Sequence, residues 1–211
     1  MTSRDLSNSE KDAVYRYSGD GYEEINAVLR FDQAGSKFTK GRITTLDEVI
    51  AKSTITENVV LFRGVGSDYG ELLYDLGVGD TFVDHGFIST TTDVGVTTTF
   101  SGHQTLIRIR TPEGSNGFGV KFISSHSSEY EVILPRGSMF EIVEKSEMSS
   151  AELFGPFGNS DSDIIKIIDV LLRPSVEKRP LKATSPRKEE PRGDKFTWQA
   201  GDLVITRKNN G

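Results

Sequence analysis

A small set of side chains in this 211-residue chain could act together on a charged, polar small molecule. In SSEYEVILPRGS, Ser127 to Ser138, two glutamates stand one residue apart at the mouth of a strand-like run. Successive side chains of a strand alternate faces, so Glu129 and Glu131 are expected on one face, roughly 7 Å apart. Alone, such a pair is more often a solvated strand surface than a site. Earlier, LFRG puts Arg63 at a strand end beside Gly64, and a planar guanidinium next to flexible backbone is well shaped to hold a diphosphate by its fork. GFISTTT then presents Ser89, Thr90 and Thr91, hydroxyls that can orient a carboxylate or a ribose. Each fragment also reads as an ordinary surface arginine or a β-rich strand. Their order along the chain is the informative feature.

The elements that must carry these residues change character along the chain. Ser7 to Glu10 and Asp20 to Glu23 read as capping boxes opening two short helices hinged at Ser18 and Gly19, the second with Ile25, Val28 and Leu29 at helical spacing. Thr45 to Glu48 repeats the signal before Leu46, Val49 and Ile50, so a third helix is expected to start there and feed the strand NVVLFRG. From that point the runs TFVDHGFISTTT, TLIRIR, VKFI, EYEVIL, MFEIVEK and IIKIIDVLLR predict strands, with Pro135 to Gly137 as a hairpin turn. Helices followed by strands indicate an α+β fold, and no G-x-G-x-x-G follows a strand.

Residues 174–195 carry seven positive and four negative side chains with four prolines and read as a charged linker. Residues 196–211, FTWQAGDLVITRKNNG, recover strand character as a short tail that docks back or pairs with a partner. Composition narrows the functions. There is no cysteine and only three histidines (His85, His103, His126), so no metal is expected. A net charge of −6 argues against a general nucleic-acid surface. The start MTSRDLSNSE lacks a signal-peptide core and no long apolar run exists, so a soluble chain with no membrane partner is expected.

Arginine in a strand, then aromatic-x-Ser-Thr-Thr, then Glu-x-Glu resembles the Arg-Ser-Glu class of mono-ADP-ribosyltransferases. The match is nearest to the enzymatic components of bacterial binary toxins and to bacteriophage transferase domains. It runs from about Tyr15 to Arg173 through YSGDGYEEINAVLR, TTLDEVIAKSTITENVVLFRGV and SEYEVILPRGSMFEIV. The resemblance implies a transferase domain over 1–173, with N-terminal helices followed by two small, steeply packed β-sheets that form a cleft for NAD as co-substrate. It implies transfer of ADP-ribose from NAD, with release of nicotinamide, to an acceptor protein of a target or host cell, on arginine. Glu131 would stabilise charge developing on the ribose and Glu129 would serve the incoming guanidinium. Ser89 would brace Glu131, Arg63 with Gly64 would hold the diphosphate, and Tyr22, Thr90 and Phe100 would line the NAD cleft. Residues 114–128 match the family's acceptor-recognition turn.

Two departures stand out: Gly86 where asparagine is usual, and His103 where the family carries a cation. The rival readings are an NAD glycohydrolase and a catalytically inactive NAD-binding or virion domain, and nucleic acid stays open as an acceptor class. A monomer acting in the cytoplasm of a target cell is expected. The chain lacks room for a binary toxin's docking domain, so phage injection or another secretion path is the expected route.

Overall fold

The structure is a computed structural model, and it describes residues 6–99, 105–120, 123, 130–155, 163–174, 178, 180–181 and 203–208. Helix α1 (Asn8–Arg16) opens on the capping box expected from Ser7 and Glu10. A π-helical turn (Tyr17–Gly21), broken at Gly19, joins it to α2 (Tyr22–Arg30), so the hinge falls where glycine relaxes the backbone. The box expected at Asp20 and Glu23 does not form, because the turn already runs into α2 and Gly21 occupies the cap without a side chain.

Helix α3 (Lys37–Ala51) is a second correction. It starts at Ser36, whose hydroxyl accepts from Thr39 N, well before Thr45. Thr45 instead sits mid-helix and donates to the Gly41 carbonyl, an alternative use of the hydroxyl that sequence spacing does not distinguish from a cap. Helix α4 (Ser67–Tyr74) and the short α5 (Ser150–Phe154) interrupt the strand-rich half, where only strands were expected.

The strands are β1 (Val59–Val65), β2 (Thr81–Asp84), β3 (Ile88–Thr91), β4 (Thr105–Thr111), β5 (Phe118–Gly119), β6 (Glu131–Leu134), β7 (Ser138–Ser149), β8 (Ile164–Arg173) and β9 (Val204–Thr206). The run TFVDHGFISTTT therefore divides into two strands with different neighbours: β2 pairs with β7 and β9, β3 with β1 and β6. The α+β class stands. The strands form one hydrogen-bonded order, β5-β6-β3-β1-β4-β8-β7-β2-β9, where two small sheets were anticipated. The two parts are joined thinly. β1 runs in register with β4 over seven residues but with β3 only at Phe62 opposite Thr91. Pro135 to Gly137 is not a hairpin turn, since β6 and β7 lie in different parts of this order, and the segment carries the chain from one to the other.

Two apolar cores lie on either side of the β5-β6-β3 part. One, with Leu61, Ile107, Ile168, Val170 and Phe140, fills the space under α4. The other, with Tyr17, Ile43, Leu46, Phe118 and Ile133, is built with α1 to α3. Period-2 alternation divides the residues: Ile88 and Leu134 join the first core, Phe87 and Ile133 the second. Leu203 is buried in the first core and β9 pairs with β2, so this part of the tail docks on the chain itself. Among the described residues no helix is long and apolar enough to cross a membrane.

Candidate active site

Where β1 and β3 part after their single registered pair, a cleft of about 460 Å³ opens, within the range that holds small-molecule ligands. Arg63 and Gly64 from β1, Ser89, Thr90 and Thr91 from β3, and Glu131 from β6 line it. Six of the residues singled out from sequence thus converge from three strands. Arg63 bridges the gap, its Nη1 donating to the Ser89 carbonyl at 2.8 Å. Its Nε is buried with no hydrogen-bond partner. Burial, and then the charge of Arg30, work against its protonated form. A buried guanidinium facing a neighbouring cation with a donor unspent is suited to a polyanionic ligand, and the site in this respect fits a diphosphate.

Glu131 is 7% exposed and is the first residue of β6. The register sets it opposite Thr91, while Ser89 faces Ile133. Ser89 is therefore a diagonal neighbour of Glu131 on the same face of the sheet, and Thr91 is the direct one. Thr90 lines the cleft too, while its hydroxyl donates to the Val132 carbonyl at 2.6 Å, tying β3 to β6. Tyr22 lines the cleft at 45% exposure, its hydroxyl donating to Glu23 Oε1 at 3.3 Å. Burial raises its phenol above the usual range, and the nearby Glu23 carboxylate adds to the rise.

The expectation that Glu129 and Glu131 share a strand face involves Glu129, which lies outside the described residues. Tyr130, immediately before Glu131, has φ +47°, in the left-handed region. Glu129, Phe100 and His103 lie outside the described residues, as do 121–122, 124–128 and 196–202.

A second wall of the cleft comes from α2, where sequence reading singled out Tyr22 but passed over Asn26 and Arg30. Tyr22, Asn26 and Arg30 recur every four residues along α2, which sets them on one helix face, and all three line the cleft. Arg30 grips Asp84 through two bonds, Nε to Oδ1 at 2.8 Å and Nη2 to Oδ2 at 2.9 Å. Burial opposes the Arg30 charge but Asp84 outweighs it, so the guanidinium is held protonated. Tyr69 donates to Asp84 Oδ2 at 3.4 Å, and burial followed by the Asp84 charge raises its phenol.

Asn26 accepts from Phe87 N at 2.9 Å and donates to the Tyr17 hydroxyl at 3.2 Å. Burial raises the Tyr17 phenol, while hydrogen bonding with Ser89 pulls it down. Gly86 sits beneath this network: a Cβ there would stand 2.6 Å from Arg30 Nε and 2.7 Å from Asn26 Oδ1. The departure noted in the sequence has a steric cause, since α2 fills the space a side chain would need. The four-residue spacing of Tyr22, Asn26 and Arg30 was a usable signal. Asp84 gave none, being one more polar residue in a strand.

This fold agrees with comparisons to known proteins. The family model of the ADP-ribosyltransferase exoenzymes matches residues 1–169. The chain belongs to the ADP-ribosyltransferase exoenzyme family. It is 29% identical over 143 residues to Mav of Mycobacterium avium, named as an NAD(+)–arginine ADP-ribosyltransferase, in an alignment covering 67% of this chain and 16% of that protein. It is 26% identical over 161 residues to the mono-ADP-ribosyltransferase C3 of Hathewaya limosa, covering 65% and 63%. The chain thus spans less than two thirds of the length of either curated relative. Among solved structures, the ADP-ribosylating toxin BECa of a binary enterotoxin of C. perfringens, determined with NADH, shares the fold at a TM-score of 0.66 and 23% identity, over 81% of this chain and 44% of that one.

Proposed function

We propose that this chain of the ADP-ribosyltransferase exoenzyme family transfers a single ADP-ribose from NAD to a protein of a target cell, with arginine as the acceptor residue. The observation that carries the reading is the meeting of Arg63, with an unspent buried donor, and the buried Glu131 carboxylate in one cleft of ligand size. Arg63 and Gly64 hold the diphosphate, and Tyr22 closes over the NAD.

Nicotinamide departs with the electron pair of its bond to C1 of the ribose. Glu131 stabilises the positive charge that develops on the sugar, as carboxylates do in glycoside chemistry. Ser89 and Thr91 hold the hydroxyl-rich surroundings of that carboxylate. The acceptor nitrogen attacks C1 and loses its proton, a step in which Glu129 pairs with the guanidinium and accepts the proton. The name of the Mycobacterium avium relative supports arginine, while that of the Hathewaya limosa relative specifies no residue.

Incubation with labelled NAD, reading nicotinamide release and ADP-ribosyl-agmatine side by side, tests the proposal. Both products are expected. Nicotinamide release without agmatine modification would remove the arginine assignment, and release without any labelled protein in bacterial or eukaryotic lysates would make the enzyme a glycohydrolase.

A further inference from the structure

In the proposed transferase the diphosphate rests on Arg63 of β1 and the sugar on Glu131 of β6, so the chemistry depends on how the two parts of the strand order stand to each other. The sheet itself fixes that poorly, because β1 and β3 share one registered pair. Two further segments of chain cross between the parts. One is Pro135 to Gly137, which leaves β6 for β7, and its Gly137 N donates to the Asp84 carbonyl of β2 at 2.9 Å. The other leaves β8 at Arg173 and brings Leu181 against the core built with α1 to α3. Lys178 and Leu181 lie beyond the residues matched by the family model.

Both crossings meet on one carboxylate. Asp47, on α3, accepts from Arg136 Nε at 3.2 Å on Oδ1 and 2.9 Å on Oδ2, and from Lys178 Nζ at 2.8 Å on Oδ1. The Arg136 side chain is buried and that of Lys178 is 37% exposed. Helix α3 shares the second core with Ile133 of β6, so Asp47 stands on the side of the cleft that carries Glu131. Lys178 continues the chain from β8, which pairs with β4 and through it with β1, the side that carries Arg63. We infer that Asp47 is a positioning residue, a role that rests on the transferase reading: by holding Arg136 and Lys178 together it sets the opening of the NAD cleft and keeps Glu131 in line with a nucleotide seated on Arg63. Charge-assisted bonds from two segments to one carboxylate supply geometric restraint as well as energy. A displacement of about 1 Å at a reacting centre is enough to cost about a hundredfold in rate.

Because the chain has no cysteine, two engineered ones report the distance across the cleft directly. Spin labels at Lys37→Cys on α3 and Asp75→Cys at the end of α4, both exposed positions on elements of the two different cores, are read by pulsed EPR. The distance distribution is expected to be narrow with Asp47 and Lys178 in place and to broaden in Lys178→Met. In Lys178→Met the kcat for nicotinamide release should fall about threefold, in keeping with a partly exposed ion pair, with the KM for NAD within about twofold of wild type. Lys178→Arg should restore both readouts. Asp47→Asn should broaden the distribution further and lower kcat about tenfold or more. If that variant fails to fold because Arg136 is left buried without its counter-charge, Lys178→Met decides. A lower Tm with an unchanged distance distribution, or a broadened distribution with unchanged kcat, would overturn the assignment and leave Asp47 as a local stabilising contact. If the wild-type enzyme releases no nicotinamide, the transferase reading fails on its own, and the distance distribution alone keeps or discards the clasp.

Discussion

The two edges of β1 hold their neighbours in different ways. Toward β4 it is a full ladder of seven registered residues, backed by Leu61, Ile107 and Ile109 in an apolar core. Toward β3 it has one registered pair, and the gap is spanned by Arg63, which donates to the Ser89 carbonyl, while Arg30 to Asp84 and Asn26 to Phe87 N tie α2 to β2 and to the start of β3. A cleft made by parting a sheet forfeits backbone bonds and hydrophobic burial along its length. The loss is offset by hydrogen bonds to charged groups, which are directional and therefore also aim side chains into the opening.

The sharpest way to break the open edge is to remove its buried carboxylate. Asp84→Asn leaves Arg30 buried without its counter-charge and is expected to destabilise the protein by about 3–5 kcal/mol in chemical denaturation. A loss under about 1 kcal/mol would mean that the cleft walls stand without this pair. Next in size, Glu131→Gln separates chemistry from architecture on the same edge. Turnover should fall about a hundredfold, equivalent to about 2.7 kcal/mol of transition-state stabilisation, while NAD binding by calorimetry is retained. Near-normal nicotinamide release would shift the charge-stabilising role to another residue.

The closed part offers the converse experiment. Leu203, 5% exposed where the chain returns to the sheet beside β2, should cost about 2 kcal/mol of stability as Leu203→Ala without altering the KM for NAD. A changed KM would couple the tail to the cleft.

The smallest effect concerns the cap of α1. Hydrogen bonds from Ser7, and then Lys52, hold the Glu10 carboxyl well below its usual value, at about 2. A depressed folded-state pKa contributes stability that is complete above pH 4.5 and fades as pH falls from 4.5 toward 2. Glu10→Gln should therefore lie about 1 kcal/mol below wild type at pH 7 and converge with it on acidification through that window. A gap independent of pH would assign the effect to packing.

Legibility in the sequence followed the range of the interaction. The Ser7 box and the Gly19 hinge are local events within one turn, and both were readable. Thr45 and Asp20 carried the same local pattern and were misleading, because an earlier cap at Ser36 had already begun α3 and the π-helical turn leads into α2 with Gly21 at its cap. Pro135 to Gly137 has turn chemistry, but whether the flanking strands pair with each other is settled by partners elsewhere in the sheet.

From the sequence alone came the α+β class, the succession of Arg63, Ser89 and Glu131 on three separate strands, and the absence of thiol chemistry. These follow from residue type and period, which are properties of short windows. The tertiary structure alone decided that β3 leaves β1 after one pair, that Thr91 rather than Ser89 stands opposite Glu131, and that Tyr130 takes a left-handed backbone. It also brought Asp84 under Arg30, across 54 residues of chain. Register, strand divergence and the pairing of buried charges depend on which distant segments pack together, and no local pattern of residues encodes that choice.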